Sequence, residues 1–149
     1  MAGTVRVASD YATSPDALWA LTKDLDALVE MNARMVTMTG MPHGDMVPGQ
    51  VIEAQVSLFG RLPPQPYRID ILTVDDASRT FTSAEHGSGV KSWNHTATVT
   101  ETAQGARLTD VIEIDAGWKT PLVLFWANRL YRARHAPRLR LLDQRGQLR

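Results

Sequence analysis

Apolar and polar positions alternate with a period of two through most of the middle of the chain. Over residues 90–101, Trp93, His95, Ala97 and Val99 share one face, and Asn94, Thr96 and Thr98 share the other. After a turn at Gly105, the run to Asp115 repeats the pattern with Leu108, Asp110, Ile112 and Ile114 on one side. Such alternation predicts a half-buried hairpin. Upstream, a strand over 47–59 points Ile52, Ala54, Val56 and Leu58 one way, and a strand over 66–74 points Tyr67, Ile69, Ile71 and Thr73 inward. A strand over 79–86 adds Phe81 and Ser83. The intervening turns at Gly60–Pro64, Asp75–Ser78 and Gly87–Gly89 are short, so successive strands should pair antiparallel. Pairing Leu58 with Tyr67, Thr73 with Phe81, Phe81 with His95 and Ala97 with Asp110 keeps every inward set on one face. A one-residue slip at any turn destroys that agreement.

The flanks change period. Residues 4–12 read as a strand. Ser14-Pro15-Asp16 then marks a helix start, with Ser as cap, Pro in the first turn and Asp at the positive end. Leu18, Leu21 and Leu25 recur at helical spacing with Trp19 at the edge of the stripe. Asp26–Asn32 forms a second helical stretch, separate from the first or one bent helix with it. Met35–Gly40 reads as a short strand and residues 41–45 as a loop. From Pro121, the residues Leu122, Trp126, Leu130, Ala133, Pro137 and Leu141 form an apolar stripe opposed by Asn128, Arg132, Arg138 and Arg140. Pro137 predicts a bend near 135–137, because it can neither donate a backbone bond nor clear the preceding turn. The tail 144–149 is expected to fray. The order of elements predicts an α+β chain, with a curved antiparallel sheet, two short helices after strand 1 and a long C-terminal helix, in one domain over 1–149.

Composition narrows the function classes. The 149 residues are 44% hydrophobic and 21% charged, as in ordinary globular chains. No apolar run approaches the roughly 18 residues of a membrane span. Residues Met1–Val5 carry neither a secretory leader nor a myristoylation signal, so the cytoplasm is the expected compartment. With no cysteine, thiolate chemistry, disulfides and cysteine-held clusters are excluded. Formal net charge is zero but uneven. Residues 1–118 hold 8 Lys/Arg against 15 Asp/Glu, and residues 119–149 hold 8 against 1. The basic end reads first as a solvated helix face, which also suits a helix C-terminus. A protein partner or a second copy of the chain docking on that helix is the competing reading. No aromatics interleave the basic positions after Tyr131, so nucleic acid is not expected.

Several features spread along the chain resemble the START-like helix-grip superfamily, which includes birch-pollen-allergen-like proteins and a polyketide cyclase/dehydrase and lipid-transport branch. They are Ser14-Pro15 with Trp19, Gly49-Gln50-Val51, Phe59-Gly60-Arg61, Trp93 with His95, and Gly105 to Asp110. In that fold the sheet wraps the long helix around an apolar cavity. The resemblance implies that Tyr67, Ile69, Ile71, Phe81, Trp93, His95, Asp110, Ile112, Trp126 and Leu130 line it. Members bind lipids, sterols, polyketides and plant hormones, and some cyclise polyketides. One departure concerns the cavity mouth: many relatives carry a Trp near the end of the second helix, where this chain has Met31-Asn32.

His95 and Asp110 are the first candidates for chemistry. In the inferred register they are diagonal neighbours roughly 7–8 Å apart, within reach of long side chains. A carboxylate that orients an imidazole makes a general base. In a cyclase such a base would deprotonate a carbon between two carbonyls, with Tyr67 polarising one of them. The competing reading is a buried pair that locks two strands. Glu85, placed opposite Lys91, reads as a rim ion pair, about 20 Å along the strand from Asp110. His43, His86 and His135 show no metal spacing, and no cofactor motif occurs, so no metal or cofactor is expected. Five methionines crowd 31–46; Met31 and Met35 suit a plastic lip, or fill gaps in the core. With Ser83 they complete the expected binding set. The expectation is a carrier of a small hydrophobic molecule, lipid or polyketide-like. A cyclase or dehydratase built on His95 and Asp110 is the alternative, and an interaction module built on Arg132, Arg138 and Arg140 is the third reading.

Overall fold

Two successive helix caps shape the start of the chain. The computed structural model describes residues 2–87 and 89–149. Strand β1 (Ala2–Tyr11) leads into α1 (Pro15–Thr22), where Ser14 accepts a hydrogen bond from the Ala17 N–H at 3.1 Å. The next cap follows at once. Asp24 is extended, and its carboxylate accepts from the N–H groups of Asp26 and Ala27, opening α2 (Leu25–Asn32). The stretch is therefore two helices, and Leu25 belongs to the second. Strands β2 (Val36–Thr39), β3 (Val51–Leu58), β4 (Gln65–Asp75), β5 (Thr80–Gly87), β6 (Val90–Thr102) and β7 (Gly105–Asp115) follow. After a single 3-10 turn at Gly117–Lys119 come α3 (Thr120–Ala133) and α4 (His135–Gln144).

The strands form one antiparallel sheet in the order β1-β7-β6-β5-β4-β3-β2. Together with the terminal helix this is the α+β helix-grip arrangement that the resemblance implies. The late hairpin holds the expected register, with Ala97 opposite Asp110 and His95 opposite Ile112. Two other registers are displaced, the second by an irregularity between Glu85 and Gly87. Tyr67 pairs with Ala54 rather than Leu58, and Phe81 with Ala97 rather than His95. Both displacements are even in residue number, so every side chain keeps its face. At Leu72 a bulge does change the face. Thr73, expected inward, is exposed and hydrogen-bonds Thr82, while Val74 packs toward the core.

The terminal helix breaks at Arg134, three residues before Pro137. The Pro137 ring would collide with the Ala133 carbonyl in a continuous helix and has no N–H to give it. Segment α3 packs Ala127, Leu130 and Tyr131 against Val5, Val7, Ile112 and Ile114 of β1 and β7. Segment α4 packs Leu141 and Leu142 beside α1 and α2. The tail expected to fray is pinned. Arg149 N–H donates to the Ala12 carbonyl at 2.8 Å, Thr13 Oγ1 donates to the Gln147 carbonyl at 2.7 Å, and Arg145 pairs with Asp24. No helix among the described residues is long and apolar enough to cross a membrane.

Candidate functional site

Between the two packed clusters lies a cavity of about 540 Å³, roofed by α2 and α3 and floored by β3 to β7. Its floor carries Tyr67, Ile69 and Ile71 of β4, Phe81 and Ser83 of β5, Trp93 and His95 of β6 and Asp110 of β7. Met31 enters from α2, and Trp126 and Leu130 from α3. Two expected residues are elsewhere. Ile112 is sealed beneath α3 among Val5, Val7 and Tyr131, because α3 lies directly on that end of the sheet. Met35 sits past the end of α2 and faces a smaller side pocket with Ala133 and Pro137. At the mouth, Leu122 and Phe125 are exposed and Trp126 stands edge-on to Phe59. Trp118 is 85% exposed.

His95 and Asp110 meet as the diagonal register requires, with Nε2 to Oδ1 at 2.7 Å and each residue 5% exposed. Burial alone pushes the Asp110 carboxyl up. The His95 hydrogen bond and the positive charges of His95, Arg138 and Arg134 outweigh it, so its pKa lies below the ordinary carboxylate value. An ionised Asp110 only accepts, which places a proton on His95 Nε2 and turns Nδ1 toward the Tyr131 hydroxyl 3.5 Å away. The His95 ring is held edge-on between Phe81 and Tyr131.

Glu85 is a correction. It stands opposite Trp93, not Lys91, and turns into the cavity instead of pairing at the rim. Tyr67 Oη and Ser83 Oγ each donate to it at 3.0 Å. Burial first, and the Glu85 charge second, hold the Tyr67 phenol well above its usual pKa. Burial likewise raises that of Tyr131, against the pull of Arg134. Both phenols therefore keep their protons and remain donors.

Two arginines complete the polar end, and neither was expected there. Arg138, assigned to the solvated helix face, is 4% exposed, and Arg134 is 8% exposed. Arg134 Nε donates to Asn32 Oδ1 at 2.8 Å, and its guanidinium lies over the Tyr131 ring at 4.2 Å. Arg138 Nη1 donates to Tyr11 Oη at 2.9 Å. Leu130, Arg134, Arg138 and Leu142 follow one another at intervals of four, and that spacing is the signal that could have placed both arginines on the buried stripe. With Arg138 inside, the basic docking surface proposed for the last helix loses its central member.

A family profile described as a domain of unknown function (DUF8410) matches residues 9–142. The chain belongs to the DUF8410 family. No curated protein matches this DUF8410 chain by sequence. Solved structures do match in shape. Ara h 8.0201 aligns with a TM-score of 0.72 at 15% identity, over 96% of this chain and 99% of its own. A Rhodobacter sphaeroides protein aligns with a TM-score of 0.72 at 14% identity, over 97% and 98%. Protein CV1439 from Chromobacterium violaceum aligns with a TM-score of 0.67 at 17% identity, over 87% and 94%. At these identities the likeness to the DUF8410 chain is one of fold: a curled antiparallel sheet around a C-terminal helix.

Proposed function

We propose that this protein binds or carries a small, largely apolar molecule, lipid or polyketide-like, in the cavity between sheet and terminal helix. The observation that carries the reading is the wall of that cavity. About 540 Å³ is lined mainly by Leu, Ile, Val, Met and aromatic side chains, with a smaller set of polar groups among them. Such sites take molecules whose bulk is buried by apolar contact and whose orientation is set by a few hydrogen bonds. Ile69 lies on the cavity floor, so Ile69→Trp should fill the space. The neutral fluorophore N-phenyl-1-naphthylamine should bind the wild type and lose about tenfold or more in affinity to the filled variant, with circular dichroism unchanged. Equal binding by both proteins would remove the cavity as the site.

The His95–Asp110 contact favours a second reading, a cyclase or dehydratase. His95 Nδ1 would accept a proton from a carbon between two carbonyls, and Tyr131 or Tyr67 would hydrogen-bond the oxygen on which charge develops. The wild type should then speed deuterium exchange at the central methylene of a 1,3-diketone above the buffer rate, and His95→Gln should return it to that rate. No acceleration by the wild type would reject the enzymatic reading and leave the carrier reading intact.

A further inference from the structure

Each carboxylate in the cavity already has its partners, and the guanidiniums do not. Glu85 is taken by Tyr67 and Ser83, and Asp110 by His95. Among the described residues neither Arg134 nor Arg138 forms an ion pair. An arginine carries five N–H donors. Arg134 gives one of them to Asn32, and Arg138 gives one to Tyr11. Their remaining donors find no acceptor in the surrounding protein, and Arg138 Nε is fully buried without one. A guanidinium removed from water with most of its donors unmet is costly. Surface arginines of this chain show the contrast, since Arg107 grips Asp10 through two nitrogens and Arg79 grips Asp16 in the same way.

The placement of the pair is also specific. Arg134 is the joint residue between α3 and α4, and Arg138 follows one turn later on the same face, both against the cavity. Arg134 lines the same cavity as Asp110 on β7 and Tyr67 on β4, three strands apart. Stacking on Tyr131 and the bond to Asn32 hold its plane still. A planar, pre-positioned guanidinium matches a carboxylate with two parallel hydrogen bonds.

We propose that Arg134, assisted by Arg138, receives the carboxylate of an amphipathic acid whose apolar body fills the cavity. This deepens the binding function above and rests on it. The ligand class narrows from any apolar small molecule to a monocarboxylic acid of fatty or polyketide type. The acid enters tail-outward, with its head at the α3–α4 joint and its tail along Ile69, Ile71 and Phe81 toward the mouth.

Calorimetric titration at pH 7.5 with decanoate and with 1-decanol separates the two levels of the claim. The wild type should bind decanoate about 10–100-fold more tightly than decanol, the worth of one or two charge-assisted hydrogen bonds. Arg134→Gln keeps a donor for Asn32 and should bring the decanoate-to-decanol ratio close to one. Arg138→Gln should lower the ratio less. Equal affinities of the wild type for acid and alcohol would overturn carboxylate recognition while sparing the apolar site. Failure of both ligands to bind would overturn the cavity function, and this inference with it. If Arg134→Gln does not fold, the wild-type ratio decides alone.

Discussion

Replacing Asp110 with alanine is expected to destabilise the protein by about 3 kcal/mol, because it breaks a buried hydrogen bond to a carboxylate and leaves its donor unsatisfied. Asp110 is the acceptor for His95 Nε2 and the nearby negative charge for two inward arginines. Its loss leaves an imidazole donor unsatisfied and removes a negative charge near two inward guanidiniums. Urea unfolding at pH 7 measures the loss, and a value under about 1 kcal/mol would mean that the dyad contributes little to the fold. The pH dependence has a definite sign. The folded-state pKa of Asp110 is depressed below the ordinary value of 3.8. Its contribution is therefore complete above the ordinary carboxylate pKa and fades as pH falls from there through the lower folded value. Asp110→Asn removes this titration. The stability gap between wild type and Asp110→Asn should shrink as pH falls below about 4. A gap that keeps growing as pH falls from about 4 to about 2 would contradict a folded-state Asp110 carboxylate held below its ordinary pKa.

The second large effect separates two isoleucines that look alike in the alternating pattern. Ile112→Ala is expected to cost about 4 kcal/mol and Ile69→Ala about 2 kcal/mol, because the penalty for truncation grows with the void it creates. Ile112 is fully enclosed under α3, so the lost atoms open a new hole. Ile69 already borders the cavity, so its truncation only enlarges a space that the fold maintains. Ligand binding should sort them the opposite way: the affinity for N-phenyl-1-naphthylamine should change in the Ile69 variant and stay constant in the Ile112 variant. Equal losses of stability, or a binding change at Ile112, would place the cavity wall elsewhere.

The readable and unreadable parts of this site divide along one physical line. Alternation alone assigns faces. It placed His95, Asp110, Phe81 and Tyr67 on the concave side, and even displacements of register at two turns left those assignments standing. Glu85 shows the limit. Its parity was inward, but a two-residue error in the β5–β6 register set it against Lys91 at the rim rather than opposite Trp93 over the cavity. Arg134 and Arg138 show a different limit. Arginine on an amphipathic helix is ordinarily solvated, so composition argued for an outer face. Their spacing of four between Leu130 and Leu142 places them on the inner stripe, and the docking of the terminal helices sets them beside Tyr131, Asn32 and Tyr11.

Local sequence thus settles which residues form strands, where caps and the proline end helices, and which side of each strand is apolar, because those properties depend on neighbours a few positions away. Where the helix lies on the sheet is set by packing between segments more than a hundred residues apart. That placement seals Ile112, opens the space above Ile69 and Phe81, and carries two guanidiniums into the polar end. Steric fit between distant elements has no periodic signature in the chain, so the shape and charge of the cavity emerge only when the terminal helix closes onto the curled sheet.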